Sequence, residues 1–162
     1  IEGQKTAYFS EKFLEITVPV TTKEQIKEIK KTVTHIAKKH DEEPYKALAT
    51  TQQAIFHQLE EQDEIDAAAI FDKVFEEKPL AREAAQLAIT EERVPEKIAV
   101  TNVPKYERKY SKQKFKLDNG IEITIPSEIY ENKEMVEFIN NPDGSVSVLI
   151  KNIESILNKF NA

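Results

Sequence analysis

The spacing of apolar residues changes once along this chain, near Pro95. Before that residue, apolar positions recur at intervals of three and four, as in residues 22–39, which predicts amphipathic helices. After it they alternate, as in residues 121–125, which predicts strands. We therefore predict an α+β fold. An N-terminal helical lobe over residues 1–96 is followed by a β-rich lobe over 97–162, which holds a small antiparallel sheet of two hairpins and a C-terminal helix.

Capping residues and prolines place the helix starts. Thr21 and Glu24 have the spacing of a capping box, which predicts a first helix over residues 22–39. Proline is favoured in the first turn of a helix, so Pro44 and Pro79 predict two more. The side chains expected to face the core from the helix at Pro79 are Leu80, Ala84, Leu87 and Ala88.

Turn residues place the two hairpins. Asn119 and Gly120 predict a two-residue type I′ turn, in which both central residues have positive φ. Pro142 and Gly144 instead predict a type I turn followed by a left-handed glycine. After the second hairpin we predict a helix capped by Asn152. It would bury four apolar side chains, which are Ile153, Ile156, Leu157 and Phe160.

Glycine and cysteine usage exclude several classes of enzyme. Two of the three glycines lie in the predicted hairpins and the third is Gly3, which leaves none for a phosphate-binding loop. The absence of cysteine excludes thiolate catalysis, disulfides and cysteine-based zinc sites, and favours a reducing cytoplasm. No serine lies in a Gly-x-Ser-x-Gly elbow. We expect no catalytic residues, no cofactor and no small-molecule substrate.

The histidines and acidic residues do not predict a metal site. His35 and His40 are five residues apart on one predicted helix, so they point about 140° apart and cannot hold one metal ion. A dense acidic cluster could bind a divalent cation. Acids in the first turn of a helix are also favoured by its dipole, which is the interpretation we prefer. The cluster consists of Glu60, Glu61, Asp63, Glu64 and Asp66.

Charge is unevenly distributed along the chain. The formal net charge is −6, yet residues 105–116 contain six lysines and arginines against one glutamate. Acidic stretches lie on both sides of this basic segment, at residues 41–104 and 117–162. Net charge alone therefore does not exclude an anionic partner such as DNA.

The basic segment provides the candidate binding residues. If residues 105–112 are helical, the cations of that segment share one face of the helix. If residues 112–116 form a strand, the cations of that segment share one face of the strand. Tyr106 and Tyr110 add flat rings that could stack on bases or sugars. A solvated loop that only offsets neighbouring acids is the alternative. The candidate nucleic-acid-binding residues are Lys105, Tyr106, Arg108, Lys109, Tyr110, Lys112, Lys114 and Lys116.

Several stretches resemble the C-terminal part of the bacterial nucleoid-associated proteins of the NdpA type. They are residues 94–98 (VPEKI), 121–126 (IEITIP) and 137–153 (EFINNPDGSVSVLIKNI), with an earlier stretch from Tyr8 to Gln25 similar to the central region of that family. The resemblance implies association with DNA in the bacterial nucleoid, in the cytoplasm, with no catalytic residues to transfer. It also implies a missing N-terminal half, which fits a chain that opens at Ile1 rather than Met.

Two functions remain open at this point. One is a fragment that binds DNA without regard to sequence through residues 105–116, with outlying support from Lys23, Lys27, Lys30 and Lys31. The other is a protein-interaction or oligomerisation module that does not itself contact DNA, for example by pairing with a second copy. A carboxylate–metal nuclease would need a ligand constellation that the sequence lacks. We expect no membrane contact, since no apolar run reaches the ~18–20 residues of a membrane helix.

Overall fold

The computed structural model describes residues 21–160, so residues 1–20 of the predicted helical lobe lie outside the described part of the chain. The described residues contain six helices and six short strands, which confirms the α+β class. In chain order the elements are α1 (Thr22–Lys39), α2 (Pro44–Glu61), β1 (Glu64–Asp66), α3 (Ala67–Val74), α4 (Pro79–Thr90), β2 (Lys97–Ala99), α5 (Val103–Tyr110), β3 (Lys112–Lys116), β4 (Glu122–Pro126), α6 (Ser127–Tyr130), β5 (Val136–Asn140) and β6 (Val146–Ile150). None of these helices is long and apolar enough to cross a bilayer.

Helix α1 forms as the sequence predicts. The Thr21 hydroxyl accepts a hydrogen bond from the backbone N–H of Glu24, and the Glu24 carboxylate accepts one from the backbone N–H of Thr21. This confirms the capping box. The apolar stripe is buried against α2 and α4 and becomes the centre of the core, so it is not free to meet another molecule. Its members are Ile26, Ile29, Val33 and Ile36.

Helix α4 begins at Pro79 as predicted but presents a different face to the core. Leu80 and Leu87 are 70% and 49% exposed, so the prediction that they point inward is wrong. Ala88 is buried as predicted, and Ala81 and Ala85, which were not predicted to face the core, are buried as well. Their small side chains let the backbone of α4 approach α1 and α3 closely, and a contact between helices selects side chains by size as well as by hydrophobicity.

A short sheet joins β1 and β2, which the sequence did not reveal. Glu64–Asp66 pairs antiparallel with Lys97–Ala99, and the central residues Ile65 and Ile98 are buried. Asp66 then caps α3 by accepting a hydrogen bond from the N–H of Ala69. The core is therefore continuous across the predicted boundary between residues 96 and 97.

The two predicted hairpins are present as β3–β4 and β5–β6. They do not share hydrogen bonds, so the prediction of one small sheet containing both is wrong. Helix α6 separates them in the chain, and they meet through side chains. The rings of Phe115 and Phe138 are 5.1 Å apart, and Tyr45 of α2 lies 5.8 Å from Phe138.

The first hairpin uses a three-residue loop. Gly120 has φ +93°, while Asn119 is not among the described residues with positive φ. The N–H of Gly120 donates to the carbonyl of Leu117, and the N–H of Leu117 donates to the carbonyl of Ile121. The predicted type I′ turn is therefore wrong. A turn followed by a left-handed glycine replaces it, which is the next most common way to close a hairpin.

The second hairpin closes in the same way, as its sequence predicts. Gly144 has φ +91°, and its N–H donates to the carbonyl of Asn141. The N–H of Asn141 donates in turn to the carbonyl of Ser145. The left-handed glycine predicted after Pro142 is confirmed.

The predicted C-terminal helix is absent, since residues 151–160 form neither helix nor strand. Asn152 has φ +58°, which differs from the extended backbone of a helix N-cap, and its side-chain amide donates to the carbonyl of Glu134. The four apolar side chains predicted to be buried are exposed, three of them at 80% or more. A short amphipathic segment without a surface to pack against gains too little to form a helix. These side chains are Ile153, Ile156, Leu157 and Phe160.

An ion pair with a histidine ties α2 to the residue that follows α6. His57 Nε2 lies 2.9 Å from Glu131 Oε2, and its Nδ1 lies 3.4 Å from Glu60 Oε1. The hydrogen bond to Glu131 raises the pKa of His57 above its ordinary value, and this outweighs the opposite effect of partial burial. The protonated ring therefore stabilises the fold below the unfolded pKa of about 6.5, and the contribution is lost as pH rises through the folded pKa.

The left-handed glycine predicts a stability effect. Gly120→Val should lower the free energy of unfolding by about 1–2 kcal/mol, because a β-branched residue resists positive φ. A clash does not contribute, since an added Cβ would meet no atom within 4 Å. Gly120→Asn should cost less, because Asn tolerates this conformation better. Urea denaturation measures both, and a Val variant as stable as the parent would contradict the assignment.

The His57 ion pair predicts a titration. In Glu131→Gln the pKa of His57 should fall back toward 6.5, as followed by the chemical shifts of its ring protons. Glu60→Gln should lower the pKa less, because that contact is longer. If neither change moves the pKa, the ion pair is not maintained in solution.

Candidate nucleic-acid interface

The basic segment folds as a helix followed directly by a strand. Helix α5 starts where the side chain of Asn102 accepts a hydrogen bond from the N–H of Lys105, with a proline in its first turn. It ends at Tyr110, and β3 begins at Lys112. The helix and the strand considered from the sequence are thus both present, one after the other in the chain. The six cations, which we call the basic patch, are all exposed: Lys105, Arg108, Lys109, Lys112, Lys114 and Lys116.

Strand β3 separates its cations from its core contacts by alternation. Lys112, Lys114 and Lys116 are exposed, Gln113 is buried and Phe115 is half-buried. Side chains of a strand alternate between two faces, so the three lysines share one face. The geometry expected from the sequence is confirmed for this strand.

Among residues 21–160, no salt bridge neutralises a charge of the basic patch. Within residues 21–160, the ion pairs of lysine and arginine involve only Lys31, Arg93, Lys97 and Lys151. The nearest acid along β4 is Glu122, which lies directly opposite Lys116 in the hairpin. The six cations are therefore available to an external anion.

The two tyrosines differ in accessibility. Tyr110 is 8% exposed and belongs to the core, and burial raises its pKa to about 12. Its ring cannot stack on a base, so that part of the prediction is wrong. Tyr106 is half-buried, and its ring stacks on Tyr110 with centroids 6.4 Å apart. The ammonium of Lys105 lies 5.5 Å from the Tyr106 ring centre, which supports the lysine by a cation–π contact.

A buried network of side-chain amides fixes the basic patch on the core. The amide of Gln113 donates to the carbonyl of Ala49 at 2.9 Å and to the side-chain oxygen of Gln53 at 3.0 Å. The amide of Gln53 donates to the carbonyl of Ser127, whose hydroxyl donates to the carbonyl of Tyr110. Helix α2 is thereby joined to the start of β3 and the end of β4.

A neighbouring glutamine continues this connection at the surface. The Gln52 amide donates to the carbonyl of Lys112 at 2.7 Å and to that of Tyr110 at 3.2 Å. None of these three glutamines was predicted from the sequence to belong to the site. The only signal was that Gln53 lies in a helix with a broad apolar face, where a polar residue is buried only if it finds a partner.

A groove of about 1090 Å³ lies beside the basic patch, between α2 and the two hairpins. Its apolar wall includes Tyr45, Phe115 and Phe138. Lys30, one of the four outlying lysines, lines this groove together with Lys114 and Lys116. By contrast, Lys27 and Lys31 line a second groove with residues of α4.

Three of the five residues in the acidic cluster make structural contacts. Asp66 caps α3, Glu64 lies 3.6 Å from Lys97, and Glu60 contacts His57. In the part of the chain that the structure describes, no group of three or more histidine or carboxylate side chains is arranged to hold a metal ion.

Comparison with known protein families places the chain in a family. The sequence model of a family described as "Nucleoid-associated protein YejK" matches residues 1–158. No curated protein matches the chain. No solved structure matches it either.

The amide network predicts coupling between two buried residues. Gln53→Met and Gln113→Met should each destabilise the protein by about 1–3 kcal/mol, because each removes the buried hydrogen bond between the two amides and a second buried hydrogen bond to a backbone carbonyl. The double variant should cost less than the sum, as measured by urea denaturation. Gln62→Met, at an exposed position, is the control and should change little. Additive costs would show that the two amides do not interact.

Proposed function

Because the chain belongs to the family of nucleoid-associated proteins represented by YejK, we propose that it binds DNA directly through the basic patch. Binding occurs in the bacterial nucleoid, within the cytoplasm, and is independent of base sequence and of any chemical step. The observation that carries the proposal is the set of six exposed lysines and arginines on consecutive elements, without a salt bridge among the described residues.

The acidic character of the whole chain does not oppose this binding. The Debye length is about 8 Å at physiological salt, so carboxylates beyond that distance are largely screened from a docked phosphate. Within the basic segment the only acid is Glu107. The local field that a phosphate meets is therefore positive although the net charge is −6.

The buried amide network supports the proposal through rigidity. Helix α5 ends at Tyr110 and strand β3 begins at Lys112. The backbone carbonyls of both residues accept hydrogen bonds from the Gln52 side chain of α2, and that of Tyr110 also accepts one from Ser127. A patch already fixed before binding loses less conformational entropy when it meets DNA. Only the long side chains must be ordered.

Lysine dominates the patch, and this favours binding without sequence preference. A lysine ammonium acts as a point charge, whereas arginine can recognise base edges through two parallel hydrogen bonds. Five of the six cations are lysines. Contacts with phosphates position a protein on DNA without reading bases, and we expect affinities on the order of 10⁻⁴–10⁻⁶ M.

A different surface favours the second candidate function, contact with another protein chain. Exposed apolar side chains are concentrated after residue 146, away from the cations of α5 and β3 in the sequence. The two functions use different residues, so one does not exclude the other.

Charge reversal at the patch tests the proposal. Lys109→Glu, Lys112→Glu and Lys114→Glu together should weaken binding to a labelled duplex of random sequence at least tenfold, measured by fluorescence anisotropy. For the parent we expect a log–log salt slope of about −3 to −5, since roughly three to five phosphates are neutralised. The variant should show a shallower slope, with an unchanged circular dichroism spectrum.

The matched control changes charge equally at another place. Lys23→Glu, Lys27→Glu and Lys31→Glu alter three exposed lysines of α1, two of which line the second groove. This variant should weaken binding less. A patch variant that binds as tightly as the parent would refute direct binding through the patch.

A further inference from the structure

Strand β3 has one edge that is not paired with another strand. Among the described residues, β4 is the only strand that pairs with it. At one end of this pairing the N–H of Leu117 donates to the carbonyl of Ile121. In an antiparallel pair every second residue bonds to the neighbouring strand, so the residues between these bonded positions have their N–H and C=O groups turned away from β4. These residues are Lys112, Lys114 and Lys116.

Helix α2 covers only the start of this free edge. The Gln52 amide donates to the carbonyls of Tyr110 and Lys112, which agrees with the outward direction of these carbonyls. Beyond Lys112 the edge borders the groove of about 1090 Å³ that lies between α2 and the two hairpins. Residues 113–117 all line this groove, so it follows β3 along its length. The outward N–H and C=O groups of Lys114 and Lys116 therefore open onto the groove.

The two faces of the free edge differ in chemistry. On one face the ring of Phe115 lies with those of Tyr45 and Phe138 in the apolar wall of the groove. On the other face Lys114 and Lys116 are exposed, and neither forms a salt bridge with a described residue. A strand laid along this edge would alternate its side chains between the same two faces. It would need apolar side chains on one face and negative charges on the other.

We propose that an extended segment of another protein, in which carboxylate and apolar side chains alternate, docks in this groove as a strand beside β3. Its backbone pairs with Lys114 and Lys116. Its carboxylates lie beside the two ammonium groups, and opposite charges on neighbouring strands stabilise a sheet. Its apolar side chains pack against Phe115. In recognition by strand addition, backbone hydrogen bonds supply affinity and the alternating side chains supply specificity.

The lysines of the free edge determine which kind of strand docks there. Natural edge strands often carry lysine, because its charge prevents pairing with an identical or an apolar strand. Two β3 strands side by side would bring their lysines together, and like charges on neighbouring strands are destabilising. An acidic strand meets no such repulsion. The edge therefore favours a partner of opposite charge over a second copy of itself.

The backbone of the free edge favours a peptide over a nucleic acid. Lys114 and Lys116 each present one donor N–H and one acceptor C=O. The edge of a peptide strand has the same alternation of donors and acceptors, so it satisfies both kinds of group. A phosphate has only acceptor oxygens, so it would bond to the N–H groups and be repelled by the carbonyls. The edge thus suits a peptide better than a phosphate backbone.

The size of the groove also agrees with a peptide. Its volume of about 1090 Å³ is at or above the upper end of the roughly 300–1,000 Å³ typical of small-molecule pockets. A strand advances about 3.3 Å per residue, so residues 113–117 extend over roughly 16 Å. An extended segment of about five residues covers the same length.

Binding of labelled synthetic peptides to the full chain, measured by fluorescence anisotropy, tests the proposal. The probe is an eight-residue peptide in which glutamate and valine alternate. One control peptide has four glutamates followed by four valines, and a second has eight glutamates. We expect the alternating peptide to bind at least tenfold more tightly than either control, because only it places charge on one face and apolar side chains on the other. If the peptide of eight glutamates binds as tightly, the lysines are a general anion-binding surface and the proposal is overturned.

A charge variant locates the peptide on the protein. Lys114→Glu with Lys116→Gln should weaken binding of the alternating peptide at least tenfold. The new glutamate lies opposite Thr124 in the hairpin, so it meets no like charge there. The matched control is Lys23→Glu with Lys38→Gln, which changes the net charge equally at exposed lysines of α1 that line neither groove. This control should bind the peptide as the parent does, and equal losses in the two variants would reject the groove as the site.

Hydrogen exchange at single amides reports on the strand pairing itself. Without peptide, the N–H groups of Lys114 and Lys116 should exchange faster than that of Phe115, which is bonded to β4. Saturation with the alternating peptide should slow exchange at both lysines at least tenfold. A bound peptide that leaves their exchange unchanged would overturn strand addition. No DNA is present in these measurements, so their outcome does not depend on whether the basic patch binds DNA.

Discussion

The placement of the basic patch depends on two glutamines that are more than nine-tenths buried. Gln53 and Gln113 are buried, and the structure satisfies their amides through one another and through carbonyls of α2 and α6. A buried polar group without a partner costs about 1–3 kcal/mol, so a shift of β3 along α2 would be penalised at several hydrogen bonds at once. Apolar contacts alone would tolerate such a shift. The network therefore gives β3 one register, and the lysines of that strand take their positions from it.

The same five residues of β3 serve the core and the surface. A strand alternates its side chains, so one that buries Gln113 must project Lys112 and Lys114 outward. The cations are thus a geometric consequence of the core contact on the other face. An acidic chain can therefore have a locally basic surface, because the outward face of β3 carries three lysines. Helix α5 extends the patch, and its inner residue Tyr110 contributes to the core as Gln113 does.

Elements that rest on local signals could be predicted, and those that rest on tertiary contacts could not. The capping box at Thr21 and the stripe that follows it define α1 within the segment itself. The inward face of α4 depends instead on how closely α1 and α3 approach, which favours Ala81 and Ala85 over Leu80. In the candidate site, the alternation of side chains predicted which lysines of β3 are exposed. The burial of Tyr110 could not be predicted, because it depends on contact with α2. The turn at Gly120 shows an intermediate case, since glycine predicted the turn but loop length decided its type.

Weak contacts with DNA raise the overall affinity most when several of them lie on one protein assembly. A single patch that neutralises a few phosphates holds DNA only loosely at physiological salt. Any assembly that holds two copies of the chain would carry two patches, because each copy contributes its own α5 and β3. Once one patch is bound, the other experiences a high effective concentration of the same duplex, and the affinity rises without any new contact. Two patches on separate duplexes would also bring those duplexes together.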